Sequence, residues 1–315
     1  MMNLIKKLPI PVCGLMLGLA ALGNLIAPFG AGYRLFLGSI SAIIFIMLTV
    51  KILIVPNQLK EALNNPAVSG VLATYPMGMM ILSTYIKPNL PNIAFGMWIF
   101  ALVLNISLML YFISKFIFNF NIKKVFASYF VLFIGIVVAS VTAPAYGLSN
   151  IGRIIFWYGL VAYLPLIPIV LYRVIKIKNI PEPAQPLTII FAAPASLLLA
   201  GYMSSFEQKS LNMIMFLSAL AIIMTLYGLL LMPKMLKLKF YPSYSAFTFP
   251  FVISAIGMNM VNKYLMVSGD GSNIINFIAK FETFWAIFMV GYVLLRYSVH
   301  MVNVLKPVVT PNIAK

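Results

Sequence analysis

Few side chains in this sequence can do acid, base, nucleophile or metal chemistry. Its 315 residues include five acids, one His and one Cys. Glu61, Glu182, Glu207 and Asp270 fall where the chain reads as connections. Glu282 is the one carboxylate that could sit within an apolar span, near the outer end of the tenth, beside Lys280. A proton relay or cation site in a membrane normally uses buried Asp, Glu or His. His300 stands alone at the cytoplasmic end of the last span, so it cannot join a metal cluster or a triad with Ser and Asp. The single Cys13 excludes a disulfide within the chain and a Cys-based metal site. In an apolar span it reads as a small packed hydrophobe. No P-loop and no dinucleotide fingerprint occurs. These residues point away from an enzyme, a metal centre and any cofactor. They leave a path for something uncharged or negative, lined by small residues, hydroxyls, kinked backbone and aromatics.

The polar and backbone-bending residues that recur do so at one kind of place. The first span carries Gly14 and Gly18, a GxxxG, and the third Thr74 and Pro76. The fifth has Gly135 and Pro144, the seventh Pro194 and Ser196, the ninth Thr248 and Pro250. Small residues let helix backbones approach closely. A mid-helix proline frees a carbonyl and kinks the helix, which a membrane tolerates only where neighbours or water satisfy the backbone. The even-numbered spans are richer in Leu, Ile, Phe and Met. This contrast predicts an inner ring of odd helices, with the even helices facing lipid, as a weak five-fold internal symmetry. Gly and Pro are also common in membrane helices generally, so composition alone admits a bundle without such a ring.

The elements that carry these residues follow from hydropathy. The chain is 63% hydrophobic and 9% charged, with a mean hydropathy of +1.03, outside the range of soluble globular chains. Ten spans are expected at about 8–28, 35–55, 67–86, 91–114, 125–145, 151–172, 186–205, 210–232, 243–265 and 273–298. At roughly 20 residues per span no room remains for a soluble domain, so residues 1–315 read as a single membrane transport domain. The N-terminal apolar run reads as the first membrane helix rather than a cleaved leader.

Lys and Arg then orient the bundle. From the N-terminal tail through each connection to the C-terminal tail they number two, one, two, one, three, one, three, one, three, two and three. Alternate segments, beginning with the N-terminal tail, hold 16 of the 22. Because basic residues are retained on the cytoplasmic side, both termini are expected to be cytoplasmic, in a multi-pass protein of the inner (plasma) membrane. The formal charge of +17 is scattered rather than gathered on a face, which argues against nucleic acid. Basic mouths would instead raise the local concentration of anions, an effect screened by salt.

Four segments in register resemble the tellurite-resistance and dicarboxylate transporter family. That family includes the TehA-like proteins, malate and sulfite carriers, and the plant slow anion channels. The segments are CGLMLGLAALGN, GVLATYPMGMM, FAAPASLLLAGY and YPSYSAFTFPFVISA. The resemblance implies an all-α integral membrane fold of ten helices, arranged as five hairpins about a central pore in a pseudo-five-fold manner. It implies odd helices lining that pore and a homotrimer. It also implies a phenylalanine plugging the pore on the ninth helix, which falls at Phe249, with Phe247 and Phe251 as near neighbours. The fifth span departs from the pattern. In ASYFVLFIGIVVAS, Leu132 stands where proline is expected, so its kink should be lost or moved to Pro144.

The resulting expectation is an anion channel, or channel-like anion transporter, for small inorganic or organic anions. Phe249 would be its gate. Gly14, Gly18, Thr74, Pro76, Gly135, Pro194, Ser196, Thr248 and Pro250 would line or kink the pore. The alternative is a proton-coupled carrier of C4-dicarboxylates such as malate, which would need a titratable group in the path. A membrane scaffold with a closed pore is a third class. Tellurite chemistry would need reducing thiols or metal ligands that these residues do not supply.

Overall fold

In the computed structural model, which describes residues 2–305, ten apolar helices are long enough to cross a membrane. They are α1 Ile10–Phe29, α2 Ala31–Ile54, α3 Pro66–Ile86, α4 Pro91–Ile117 and α5 Ser128–Tyr146. They continue as α6 Ser149–Ile177, α7 Glu182–Ser205, α8 Leu211–Met235, α9 Pro242–Ser268 and α10 Asn273–Leu305. There is no strand among the described residues. Two short helices, Met2–Lys7 and Pro56–Asn64, lie outside the spans.

Local chemistry sets the ends. Asn65 caps α3 by accepting hydrogen bonds from the Ala67 and Val68 amides, with Pro66 at the first helical position, where its missing N–H costs nothing. Pro91 opens α4 in the same way. Gly269, at φ +83°, ends α9 in the left-handed region that glycine enters without strain.

Burial separates two layers. In the odd helices, between 72 and 94% of the most apolar window is buried, and in the even helices between 22 and 39%. Each odd helix packs on its neighbours in the order α1, α3, α5, α7, α9 and back to α1. The ring is therefore closed. Each even helix packs against the odd helix before it, as one of five hairpins, and presents large apolar side chains such as Phe100, Leu164, Leu230 and Phe284 outward. In hydrocarbon such side chains cost nothing to expose, whereas the small residues are needed where backbones meet.

The α1–α9 contact closes the ring and shows what the GxxxG does. A Cβ on Gly14 would sit 2.9 Å from Ser245 Cβ, and one on Gly18 would sit 2.6 Å from Thr248 Cβ. The backbones approach so closely that the Thr248 hydroxyl donates to the Gly14 carbonyl at 3.0 Å. Similar bonds join neighbouring helices of the ring and join the outer layer to it. Tyr85 donates to the Ala20 carbonyl at 2.6 Å, and Ser41 to the Met16 carbonyl at 2.7 Å.

All five odd helices are interrupted. In α1, α7 and α9 a 3-10 segment (Ile10–Val12, Glu182–Ala192 and Pro242–Phe247) runs into the α-helix. In α3 the break is at Ala73. In α5 a 3-10 turn at Gly135–Val137 separates Ser128–Ile134 from Val138–Thr142. This corrects the expectation for the fifth span: the kink is neither lost nor moved to Pro144. It lies three residues beyond Leu132, at a glycine, and Pro144 belongs to a 3-10 turn, Ala143–Tyr146, at the helix end.

Candidate functional site

The closed ring encloses two cavities. The first and narrower takes residues from all five odd helices, among them Gly14, Thr74, Gly135, Pro194 and Pro250. It lies among the N-terminal halves of those helices. The second and wider lies among their C-terminal halves, with Ala21, Ile81, Val141, Ser204 and Met260 on its wall. Two residues, Leu197 and Phe249, line both. Phe249 is 5% exposed and Leu197 2%, so apolar side chains stand where one cavity gives way to the other.

The backbone explains why Phe249 is there. Thr248, at φ −102° and ψ −83°, ends the 3-10 segment of α9, and Phe249 and Pro250 begin the α-helix. The Thr248 hydroxyl is spent on the Ser245 carbonyl at 2.7 Å and on the Gly14 carbonyl. Along α9, Phe249, Ile253, Ile256 and Met260 recur at helical spacing and line the second cavity. That spacing marks one face of a helix.

Six of the residues expected to line or gate a path meet at the first cavity: Gly14, Thr74, Gly135, Pro194, Phe249 and Pro250. Four border neither cavity. Gly18 is packed on Thr248, and Pro76 is buried within α3. The Ser196 hydroxyl donates to the Ala192 carbonyl at 2.8 Å, and Thr248 is bonded as described. The Thr74 hydroxyl also donates within its own helix, to the Val71 carbonyl at 2.8 Å.

Leu197 was not singled out from the sequence. It is one leucine of three in ASLLLAGY, and only its spacing from Pro194 places it on the same helical face.

The walls are neutral. No charged side chain lines either cavity among the described residues. An organised cation stands behind the second wall at Arg34, whose guanidinium lies 4.2 Å from the Tyr85 ring centre. Its Nε donates to Asn24 Oδ1 at 2.8 Å and its Nη2 to the Thr84 carbonyl at 3.3 Å. Asn24 is itself on the wall of the second cavity. A positive charge is thereby held one side chain away from that wall.

Glu282 is buried, at 6% exposure, but it borders neither cavity. The Ser254 hydroxyl donates to its Oε2 at 2.8 Å, and Thr225 bonds Ser254 at 2.8 Å. The carboxyl group therefore sits between α8, α9 and α10, behind the ring. His300 packs on the Phe240 ring with centroids 4.9 Å apart. Among the described residues no group of three or more His, Cys, Asp or Glu is placed to hold a metal ion.

Such an arrangement can do little chemistry. It offers a small solute few specific contacts, and apolar side chains stand at the junction of the two cavities. The family model described as SLAC1, voltage-dependent anion channel, matches residues 7–300. A search of curated proteins found no match.

Proposed function

We propose a function from one premise: the chain belongs to the SLAC1 family of voltage-dependent anion channels. It is an integral membrane protein of an anion channel or transporter family, not of an enzyme family. The finer reading is ours. Residues 1–315 act as one transport domain. Anions pass along the axis of the inner ring, from one cavity to the other, and Phe249 with Leu197 closes the way between them. The observation that carries this reading is that these two residues alone are shared by both cavities.

Anion preference then comes from the ends and not from a binding site. A neutral, mostly apolar wall offers weak contacts, which suits conduction because tight binding slows exit. Lys and Arg at the connections, and Arg34 behind Asn24, bias entry toward negative ions. The excess of basic residues beside the N-terminal halves of the odd helices supports cytoplasmic termini, which makes the narrower cavity the inner one. The family resemblance supports a homotrimer in the plasma membrane.

The proton-coupled dicarboxylate reading needs a titratable group in the path. Glu282 is the buried carboxylate, and it stands behind the wall, held by Ser254. That geometry favours the channel. In oocytes, Phe249→Ala should raise anion current at least about tenfold over wild type, equivalent to about 1.4 kcal/mol at the closed junction. An unchanged current from a folded, surface-expressed variant would remove Phe249 from the gate.

A further inference from the structure

Away from the ring, a second place is built for negative charge. The short helix Met2–Lys7, the surface helix Pro56–Asn64 and the last turn of α10 border a surface cavity. Lys6, Lys7, Lys51, Gln58 and Glu61 line it, beside apolar residues such as Ile10 and Val304. Lys51 is only 2% exposed. Its ammonium donates to the Lys6 carbonyl at 2.7 Å and to Gln58 Oε1 at 2.5 Å. Both acceptors are neutral, and an ammonium has a third N–H to place.

A lysine near a helix end ordinarily extends its ammonium to water. Here it is folded under two short helices instead. A buried charge without a counter-charge is costly. Glu61, the one carboxylate on the cavity wall among the described residues, is exposed and is not among the acceptors of Lys51. Lys7 donates to the Val304 carbonyl at 2.8 Å, which fixes a second ammonium at the same rim. Among the described residues, three lysines and one carboxylate border the cavity.

We propose that this cavity binds a phosphate group, either of an anionic phospholipid headgroup or of a free phosphate. Lysine binds phosphate as a point charge. The cavity lies at the ends of α1, α2, α3 and α10, and a bilayer spanned by these helices would bring its headgroups to that level. Basic pockets between helices on the cytoplasmic side suit anionic headgroups, and the apolar rim suits the glycerol and first methylenes of a lipid. This site is independent of the gate.

The test is native mass spectrometry of the full-length protein, titrated with phosphatidylglycerol or phosphatidylcholine, with and without inorganic phosphate. Wild type should hold one phosphatidylglycerol per chain more tightly than phosphatidylcholine, or hold phosphate itself. Lys51→Met should weaken that binding about fivefold, and Glu61→Gln should strengthen it. The double variant Lys6→Gln/Lys7→Gln leaves the buried ammonium in place and should weaken binding similarly, so the test stands even if Lys51→Met does not fold. Phosphatidylglycerol that phosphate cannot displace assigns the lipid source, and displacement or phosphate binding alone assigns the free ion. Equal binding of both lipids with no phosphate binding overturns the proposal. So does an affinity that the lysine variants leave unchanged.

Discussion

The Phe249 ring is held at the junction of the two cavities by the backbone before it, not by a polar partner. Thr248 turns its hydroxyl to Gly14 and Ser245, so the ring is the first side chain of the α-helix that follows. Leu197 reaches the same junction from α7. If the two share the closure, Leu197→Ala should raise anion current by less than Phe249→Ala, because a smaller side chain is removed. The double variant should exceed either one, since residues at one constriction are not expected to be independent. Single-channel recordings of the three variants check this order.

Glu282 allows a sharper separation of channel from proton-coupled carrier. Glu282→Gln keeps an oxygen to accept from Ser254 but cannot titrate. The channel account predicts unchanged current in Glu282→Gln across the physiological pH range. Loss of pH-driven malate uptake into proteoliposomes would instead place the carboxyl group in a transport cycle.

At the scale of elements, the ring depends on close backbone contact between α1 and α9. Gly18→Val places methyl groups where Thr248 already stands, since even a Cβ would lie 2.6 Å from Thr248 Cβ. The expected loss is about 1–3 kcal/mol, the usual range for overpacking, and a lowered thermal midpoint of the purified protein measures it.

Most of this layer could be read in advance from residue type. Gly14 and Gly18 announced a close contact, and the basic connections separated the spans. The break in α5 could not be read in the same way. A rule based on proline expects no bend at Leu132, yet the chain bends at Gly135. Glycine lowers the cost of leaving helical geometry much as proline forces it. The long 3-10 run of α7, Glu182–Ala192, has Pro183 and Pro186 near its start, but no local signal carries it on to Ala192. Such runs are ordinarily short, so packing within the ring sets it rather than propensity. Leu197 escaped notice for a related reason. One apolar side chain among many becomes special only when five helices converge on it.

At the scale of the molecule, a closed inner ring and a lipid-facing outer layer separate two tasks. The outer helices solve the problem of hydrocarbon, and the inner ones can then afford kinks, hydroxyls and small residues. Charge is kept to the ends, apart from Glu282 and the residues just inside the helix termini. The orientation drawn from that charge can be checked in a Cys13→Ala background. A cysteine at Gln208, between α7 and α8, should react with an impermeant maleimide from outside intact cells. One at Asn119, between α4 and α5, should react only after permeabilisation. The reverse pattern would invert the protein and exchange the two cavities.

The central claim is that anions cross the ring axis and that Phe249 is the barrier to them. The most direct measurement is the current through purified protein in a planar bilayer under a chloride gradient, for wild type and Phe249→Ala. Wild type should pass little or no current, and Phe249→Ala a large current that reverses near the chloride equilibrium potential and shifts when nitrate or malate replaces chloride. A folded Phe249→Ala protein that stays silent, or one whose current reverses at the cation potential, would contradict it.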